Sequence, residues 1–224
     1  KHAIYTVDNT SHILHTNGNK GREANAYLSY ILRNYESLPS IVAFVHPHRD
    51  GYPAAWHNDA SNYDNVNSLR ALNVDFVQRN GYANLRCIWI PGCPDEIHPL
   101  REPPRDVDDG ESTEQALASV WPLFFAPQAV LSTIGTPCCA QLAVSRDQIR
   151  KRPLLEYVRY HDWLMKTELS DDVSGRVFEY LWHIIFGQDP ISMYEAVRET
   201  GPSLTNGSCP ELQQCYHDVY GGNH

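Results

Sequence analysis

The chain has 224 residues, enough for one sizeable domain with its own hydrophobic core. Its formal net charge of -9, with no cluster of lysine or arginine to offset it, argues against nucleic-acid binding. No apolar stretch approaches the roughly 18 residues that a membrane-spanning helix needs. Eleven histidines and thirteen tyrosines are many for this length, and such side chains suit a site for a polar aromatic ligand.

Helices and short strands alternate along the chain. Apolar residues at helical spacing predict helices over residues 23–35, 65–78, 115–125, 153–169, 173–186 and 191–199. Short apolar runs predict strands at residues 3–7, 41–45 and 141–144, and the unbroken run at 41–45 is typical of a strand buried on both faces. We therefore predict an α/β (or α+β) fold: a single compact domain over residues 1–224, with a small central sheet flanked by several helices and stapled by disulfides.

Four of the six cysteines lie in two closely spaced pairs. The even count allows a full set of disulfides. Cys87 and Cys93 bracket a short loop that a disulfide would close, and Cys209 and Cys215 would likewise close a short loop near the C-terminus. A zinc site is the competing interpretation, and the absence of any C-x-x-C pair makes it the weaker one.

The other two cysteines, Cys138 and Cys139, are adjacent. A bond between neighbours strains the peptide that joins them, so we expect at least one of the two to bond elsewhere or to stay free. The even cysteine count and two N-glycosylation sequons, at Asn9 and Asn206, favour the secretory pathway, in a lumenal or extracellular location. The chain begins without methionine or a signal peptide, as expected of a processed, mature protein.

The first candidate site is the loop that follows residues 41–45. It reads His46-Pro47-His48-Arg49-Asp50, and Trp56-His57 follow shortly after. On an extended segment His46 and His48 point to the same side, since side chains repeat every two residues. The imidazoles can act as general acids or bases, and Arg49 can bind an anion or a carbonyl oxygen. Two alternatives stay open: a divalent metal held by His46, His48, Asp50 and His57, and a polar loop with structural histidines.

The second candidate is the segment from Gly81 to Trp89. A Cys87–Cys93 bond would stiffen it and hold four side chains at fixed angles, as a preorganised site needs: Tyr82, Asn84, Arg86 and Trp89. The alternative is a disulfide knot whose aromatic rings only fill the core.

The third candidate lies on the helix predicted at residues 173–186. Glu179 and His183 are i,i+4 neighbours there, with Trp182 alongside, and a carboxylate in that position can orient an imidazole and raise its basicity. An ordinary solvated helix pair is the alternative. The chain has no P-loop, GxGxxG, G-x-S-x-G or H-E-x-x-H motif, so no cofactor is expected.

A set of ordered motifs covers most of the chain and resembles a fungal family built on a domain of unknown function. The motifs are Asn19-Lys20-Gly21-Arg22-Glu23-Ala24, Phe44-Val45-His46-Pro47-His48-Arg49, Trp56-His57, Gly81-Tyr82-Ala83-Asn84-Leu85-Arg86-Cys87, Pro91-Gly92-Cys93-Pro94, Pro137-Cys138-Cys139-Ala140 and Glu179-Tyr180-Leu181-Trp182-His183-Ile184-Ile185-Phe186. The C-terminus looks shorter than the cysteine-rich ending of that family.

In size, sequons and aromatic content the chain is also similar to fungal hetero-Diels–Alderases of tropolone–sesquiterpenoid biosynthesis. That resemblance implies two small-molecule substrates: a polyketide tropolone precursor that loses water to form an o-quinone methide, and a humulene-type terpene that adds to it. The cycloaddition that the resemblance implies needs no cofactor and no metal. Acid–base catalysis would fall to His46, His48, His57 or His183, and Arg49 or Arg86 would bind the diene oxygen.

The same resemblance assigns the substrate-binding walls to Trp56, Tyr82, Trp89 and Trp182, with Asn84 and Glu179 as further contacts. Beside substrates, the expected partners are N-linked glycans, and a homodimer is left open; nucleic acid and a membrane span are not expected. Two other functions compete. One is a metal-dependent or carbohydrate-active secreted enzyme that uses His46, His48, Asp50 and His57. The other is a non-catalytic secreted binding protein.

Overall fold

The computed structural model describes residues 2–93, 96–105, 107–108, 111–190 and 212–222, of which residues 107, 108 and 111 by their backbone alone. The helices are α1 (Glu23–Asn34), α2 (Asn65–Ala71), α3 (Val74–Asn80), α4 (Thr113–Phe125), α5 (Arg146–Arg150), α6 (Leu154–Lys166), α7 (Asp171–Ile185) and α8 (Leu212–Tyr220). The strands are β1 (Ile41–Phe44), β2 (Tyr82–Asn84), β3 (Val107–Asp108), β4 (Glu111–Ser112) and β5 (Leu142–Ser145). This mixture of helices with a small sheet and disulfides confirms the predicted fold class. No helix in the described part of the chain is long and apolar enough to cross a membrane.

The chain divides into two compact units. The first comprises Lys1–Leu38, Pro99–Val130 and Arg150–Glu179, and the second comprises Pro39–His98, Leu131–Ile149 and Tyr180–His224. This division neither confirms nor contradicts the single domain that the sequence predicts, which stays a prediction. The helix predicted at residues 191–199 lies outside the described residues.

The first unit is helical and packs α1 and α4 against α6. Ala24, Leu28 and Ile31 recur on one face of α1 and are each 0% exposed, as the apolar spacing predicts. Gly21 precedes this helix with a φ of 65°, and any Cβ there would collide with the side chain of Leu164. The strand predicted at residues 3–7 is wrong, since only an isolated bridge from Thr6 to His15 forms there.

The second unit contains an antiparallel sheet with the strand order β1-β5-β2. Every residue of the central strand β5 is buried. In β1, by contrast, Val42 and Phe44 are buried and Ala43 is exposed. The prediction that residues 41–45 form a strand buried on both faces is therefore wrong, because β1 is an edge strand with one face open to solvent.

The helix predicted over residues 65–78 is also wrong in one respect, since the segment forms two helices. Asp64 caps α2 by accepting from the backbone N–H groups of Val66 and Asn67, at 2.7 and 3.1 Å. Asn73 then caps α3 by accepting from the N–H of Phe76 at 3.2 Å. An asparagine side chain competes for backbone hydrogen bonds in this way, which favours a new helix start over continuation.

The disulfide pairing differs from the predicted one. Cys87 bonds Cys215, at a sequence separation of 128 residues, so neither predicted short loop, Cys87–Cys93 or Cys209–Cys215, is closed. Cys93 is also disulfide-bonded, while Cys209 lies outside the described residues. Spacing along the chain misled here because α8 folds back onto the segment after β2.

The adjacent cysteines Cys138 and Cys139 bond each other, so the expectation that at least one of them bonds elsewhere or stays free is wrong. Cys139 and Ala140 both have positive φ, at 86° and 49°, so the backbone turns sharply where the two meet. Two hydrogen bonds from neighbouring segments hold this turn: Asn84 Nδ2 donates to Pro137 O at 3.0 Å, and the N–H of Cys138 donates to Pro91 O at 3.1 Å. Tertiary contacts thus support a conformation that the local chain would not favour alone.

Candidate functional site

The polar loop after β1 brings His46 and His57 together. Their rings meet edge to face with centroids 4.4 Å apart. Gln141, directly before β5, holds the two backbones: its Oε1 accepts from the N–H of His46 and its Nε2 donates to the carbonyl of His57, both at 2.9 Å. Gln141 is 0% exposed, so water does not compete for these bonds. The sheet therefore positions both imidazoles through a single side chain, one that sequence reasoning missed.

Arg86 lies against this histidine pair from the segment after β2. Its side chain is buried, with the guanidinium carbon 5.2 Å from the centroid of the Trp56 ring, and that ring lies 4.8 Å from the ring of His57. Nη1 donates to the carbonyl of Trp56 at 2.9 Å, and Nη2 donates to the carbonyl of Ile90 at 3.2 Å. Four of the predicted site residues, from two separate candidate segments, thus form one cluster.

In the described part of the chain, the hydrogen bonds of the Arg86 guanidinium go to backbone carbonyls. Among the described residues no carboxylate oxygen lies within 4 Å of the guanidinium, and Nε is buried without a hydrogen-bond partner. Nδ1 of His57 is likewise buried without a partner in the described part of the chain. A buried cation normally has an ionic partner, so the cluster around these two nitrogens is the candidate site for a ligand with acceptor oxygens.

Asp59 and Tyr216 complete the surroundings of Arg86. Oδ2 of Asp59 accepts from the backbone N–H groups of Cys87 and Ile88, at 2.5 and 3.1 Å, which fixes the chain just after Arg86. Tyr216, on α8, packs against the core cluster that contains Leu85 and Cys87, and burial raises its pKa, with a smaller contribution from the charge of Asp59 and an opposing one from Arg86. Sequence reasoning missed both residues. The only signal for Tyr216 was its position next to Cys215, which becomes informative once Cys215 is paired with Cys87.

Both clustered histidines are neutral at physiological pH. Burial is the main cause that lowers the pKa of His46 to about 4, with smaller contributions from His57 and His48. The pKa of His57 is lowered by burial and then by the charges of Arg86 and His48. A neutral imidazole can accept a proton, so the cluster combines a hydrogen-bond donor of fixed charge with a potential base.

The rest of the first candidate loop faces solvent. His48 is exposed, and its carbonyl accepts a hydrogen bond from Asn65 at 2.7 Å. The side chain of Arg49 is 77% exposed and forms an ion pair with Asp50 at 3.4 Å. No three of the residues His46, His48, Asp50 and His57, all of them described, bring their ligand atoms within 4.8 Å of one another. The loop therefore offers the metal hypothesis no ready-made set of three ligands.

In the second candidate segment, Arg86 belongs to the site, and the other predicted residues support the backbone or the core. Asn84 accepts from the N–H of Arg86 at 2.9 Å and donates to Pro137, so it positions backbone on both sides. Tyr82 is buried and stacks with Phe186, with ring centroids 6.2 Å apart. Trp89 is partly buried, and its carbonyl accepts from the N–H of Cys93 at 2.9 Å in a turn. Asn84 and Trp89 thus shape the segment that carries Arg86.

The third candidate does not join the cluster through any described contact. Trp182 is 1% exposed and stacks with Phe186, with ring centroids 5.7 Å apart. His183 is 0% exposed, burial lowers its pKa to about 3, and both ring nitrogens are buried without a hydrogen-bond partner among the described residues. Neither ring nitrogen bonds the carboxylate of Glu179, so Glu179 does not orient this imidazole as the i,i+4 spacing predicts.

Of the two sequons, Asn9 is exposed, and its Oδ1 accepts from the N–H of Ser11 at 3.0 Å. Its side chain is therefore accessible to solvent, and glycosylation there stays a prediction. Asn206 lies outside the described residues.

One comparison with known proteins gives a match. Residues 1–218 match the family model described as "Protein of unknown function (DUF3431)". Neither a curated protein nor a solved structure matches the chain.

Proposed function

The chain belongs to this family of unknown function, and from its site we propose a cofactor-independent enzyme that joins two small molecules by a hetero-Diels–Alder [4+2] cycloaddition. One substrate is a tropolone-derived o-quinone methide, and the other is a humulene-type sesquiterpene. The observation that carries the proposal is the buried Arg86 guanidinium, stacked on Trp56 with no carboxylate within 4 Å among the described residues. A ligand with a polarised or anionic oxygen would supply the missing partner.

A tropolone-type ring suits this cluster in shape and polarity. It is planar, and its neighbouring oxygens are good acceptors for a guanidinium. The indole of Trp56 and the partly buried indole of Trp89 offer aromatic surface to the ring and to an apolar second substrate. The terpene needs only apolar contact, which aromatic side chains provide without hydrogen-bonding demands.

The neutral imidazole of His57 would serve the dehydration that forms the o-quinone methide. It takes the proton of the ring hydroxyl while the carbon–oxygen bond of the hydroxymethyl group breaks. The same imidazole then returns a proton to the departing hydroxide, so that one water is released and the protein is unchanged. His46 has the same protonation state and is an alternative base.

The cycloaddition itself forms two bonds and releases nothing. The methide carbon joins one carbon of the terpene double bond, and the diene oxygen joins the other, which closes a dihydropyran ring. An N–H of Arg86 on the diene oxygen would stabilise the charge that develops there, an effect worth about 3 kcal/mol for a well-placed donor. Holding the two partners in contact would supply a further part of the rate.

The compartment forms part of the proposal. The structure is disulfide-bonded, as is typical of proteins that fold in an oxidising compartment. We place the enzyme in the secretory pathway, lumenal or extracellular, with an N-linked glycan at Asn9 and with a homodimer left open.

The test is to incubate the purified protein with the hydroxymethyl tropolone precursor and humulenol. We expect a single stereoisomer of the adduct to form faster than without protein. Arg86→Met should lower the rate roughly 10²-fold, while Arg49→Met, which removes an exposed arginine of the neighbouring loop, should leave the rate unchanged. Arg86→Lys, which keeps the charge, serves as the second variant if Arg86→Met does not fold.

Three outcomes would overturn the proposal. A yield and stereochemistry equal to those of the protein-free reaction would exclude catalysis of this cycloaddition. Loss of activity in a chelator would favour the metal-dependent alternative. Tight binding of the precursor without any product would favour a non-catalytic binding protein.

A further inference from the structure

The disulfide between Cys138 and Cys139 lies in a buried turn of the second unit, and the proposed chemistry does not use it. Its two cysteines are neighbours in the chain, so the bond closes the smallest loop that a disulfide can close. Loop entropy therefore gives it the least weight in the stability of the whole chain, in contrast to the Cys87–Cys215 bond, which spans 128 residues. The main effect of the Cys138–Cys139 bond is thus on the local backbone.

The turn that carries this bond supports Arg86 in two ways. Asn84 accepts from the N–H of Arg86 at 2.9 Å, and its Nδ2 donates to the carbonyl of Pro137 at 3.0 Å. The N–H of Cys138 donates to the carbonyl of Pro91 at 3.1 Å, and the carbonyl directly before this proline accepts from Arg86 at 3.2 Å. Two separate supports of Arg86 are therefore hydrogen-bonded to the cysteine turn.

The histidine pair depends on the same turn. The side chain of Gln141 bonds the backbones of His46 and His57, at 2.9 Å each. Between the disulfide and Gln141 the backbone passes through positive φ, at 86° for Cys139 and 49° for Ala140, a region that residues with a Cβ adopt at a cost. The ring that the disulfide closes holds this conformation, so the direction of the Gln141 side chain depends on the bond.

We propose that the Cys138–Cys139 disulfide is a redox-sensitive positioning element: closed, it holds Arg86 and the histidine pair in place for a ligand, and its reduction releases them. A dithiol reductant supplies two electrons and two protons, the sulfur–sulfur bond breaks, both cysteines become thiols, and the reductant leaves as a cyclic disulfide. Opening the ring lets the positive-φ backbone relax, which favours reduction of this bond over an unstrained one. The inference rests on the proposed function in taking the Arg86 cluster as the ligand site.

The first test replaces both cysteines by alanine in the full chain. Cys138→Ala/Cys139→Ala cannot close the ring, and it retains the cysteines of the other disulfides. The pKa of His46, followed by NMR, should rise from about 4 toward its ordinary value of 6.5 as the loop loosens. The affinity for tropolone, measured by calorimetry, should fall roughly 10-fold, because the ligand must then order a site that the bond no longer preorganises.

The second test titrates the wild type with dithiothreitol and labels the freed thiols for mass spectrometry. Cys138 and Cys139 should be labelled at a lower concentration of reductant than Cys87 and Cys215, and the loss of tropolone affinity should coincide with their labelling. The alanine variant is the matched control in the same titration. Its affinity should stay constant over that range, because its remaining disulfides are still closed.

The outcomes separate this inference from the proposed function. If the alanine variant keeps the wild-type affinity and pKa of His46, the disulfide does not position the site. If the variant does not fold, an unchanged affinity of the wild type after labelling of Cys138 and Cys139 leads to the same conclusion. Labelling of Cys87 and Cys215 first would contradict the redox sensitivity.

The proposed function survives these failures if tropolone binds the wild type and Arg86→Met abolishes that binding. Conversely, if opening the Cys138–Cys139 bond moves the pKa of His46 while tropolone binds neither form, the positioning role stands and the proposed function fails. If tropolone binds neither form and the pKa of His46 does not move, both ideas fail together.

Discussion

Replacing Gln141 tests whether one buried side chain holds the histidine pair. Gln141→Met keeps the length of the side chain and removes both polar atoms. The N–H of His46 and the carbonyl of His57 each lose a 2.9 Å hydrogen bond at a position that is 0% exposed. A backbone group that loses its partner inside a protein costs about 1–3 kcal/mol. The gain from burying a thioether offsets part of this cost, so we expect a net loss of about 3 kcal/mol in the free energy of unfolding.

The assay is urea unfolding followed by tryptophan fluorescence. The midpoint should fall while the slope stays constant, because the same surface becomes exposed. Gln115→Met is the matched control: Gln115 is exposed on α4, so its replacement should change stability by no more than about 0.5 kcal/mol.

A second measurement reads the site itself. NMR titration of His46 should give a pKa near 4 in the wild type, since burial depresses it. In Gln141→Met the loop loses its anchor and His46 gains access to water, so its pKa should move toward the ordinary range near 6.5. A stability loss no larger than that of the Gln115 control, together with an unchanged pKa of His46, would refute the idea that Gln141 organises the site.

The remaining predictions concern stability. Burial lowers the folded-state pKa of His183 to about 3, so on acidification the unfolded chain binds a proton at this imidazole first, and stability falls as the pH drops from about 6.5 toward 3. His183→Leu should therefore be at least as stable as the wild type at neutral pH, and its stability in urea unfolding should depend less on acid pH. Equal acid sensitivity of the two proteins would contradict the reasoning. Glu114 is 1% exposed and forms an ion pair with Arg101 at 3.3 Å, so Glu114→Ala should lower the free energy of unfolding by about 3 kcal/mol, measured by thermal unfolding. Replacing Cys87 and Cys215 together by serine removes a disulfide that spans 128 residues, and loop entropy sets an upper limit of about 5 kcal/mol on the resulting loss in the free energy of unfolding. A loss below about 1 kcal/mol would show that packing, and not the disulfide, holds α8.

Local sequence patterns predicted the elements whose causes are local. The apolar spacing of α1 and the position of β1 were readable because each depends on a few neighbouring residues. The break between α2 and α3 also has a local cause, the capping by Asn73, but the apolar pattern continues across it and hides the signal. The burial of β1 could not be predicted, because it depends on which strand becomes the centre of the sheet.

The site was predicted in part for the same reason. His46, Trp56 and His57 were readable as chemically capable residues that follow a predicted strand. Arg86 was readable as one of four polar or aromatic residues in a cysteine-containing segment, whereas the strand β2 before it was not predicted. The residues that hold them, Gln141 and Asp59, act across gaps of 28 to 95 residues. A supporting side chain of this kind has no local signature, because any buried glutamine or aspartate elsewhere in the chain would read the same.

The disulfide pairing decides which helix packs beside the segment that carries Arg86. Because Cys87 follows Arg86 directly, its bonding partner brings that partner's neighbours to the guanidinium. Pairing with Cys93 would close a short loop around Trp89 and leave α8 without a covalent link to this segment. The observed pairing with Cys215 instead attaches α8, whose Tyr220 hydroxyl also donates to the carbonyl of Leu85, directly before Arg86. A bond that contributes to stability thus also fixes the backbone on both sides of the buried charge, because it and the Tyr220 hydrogen bond flank Arg86.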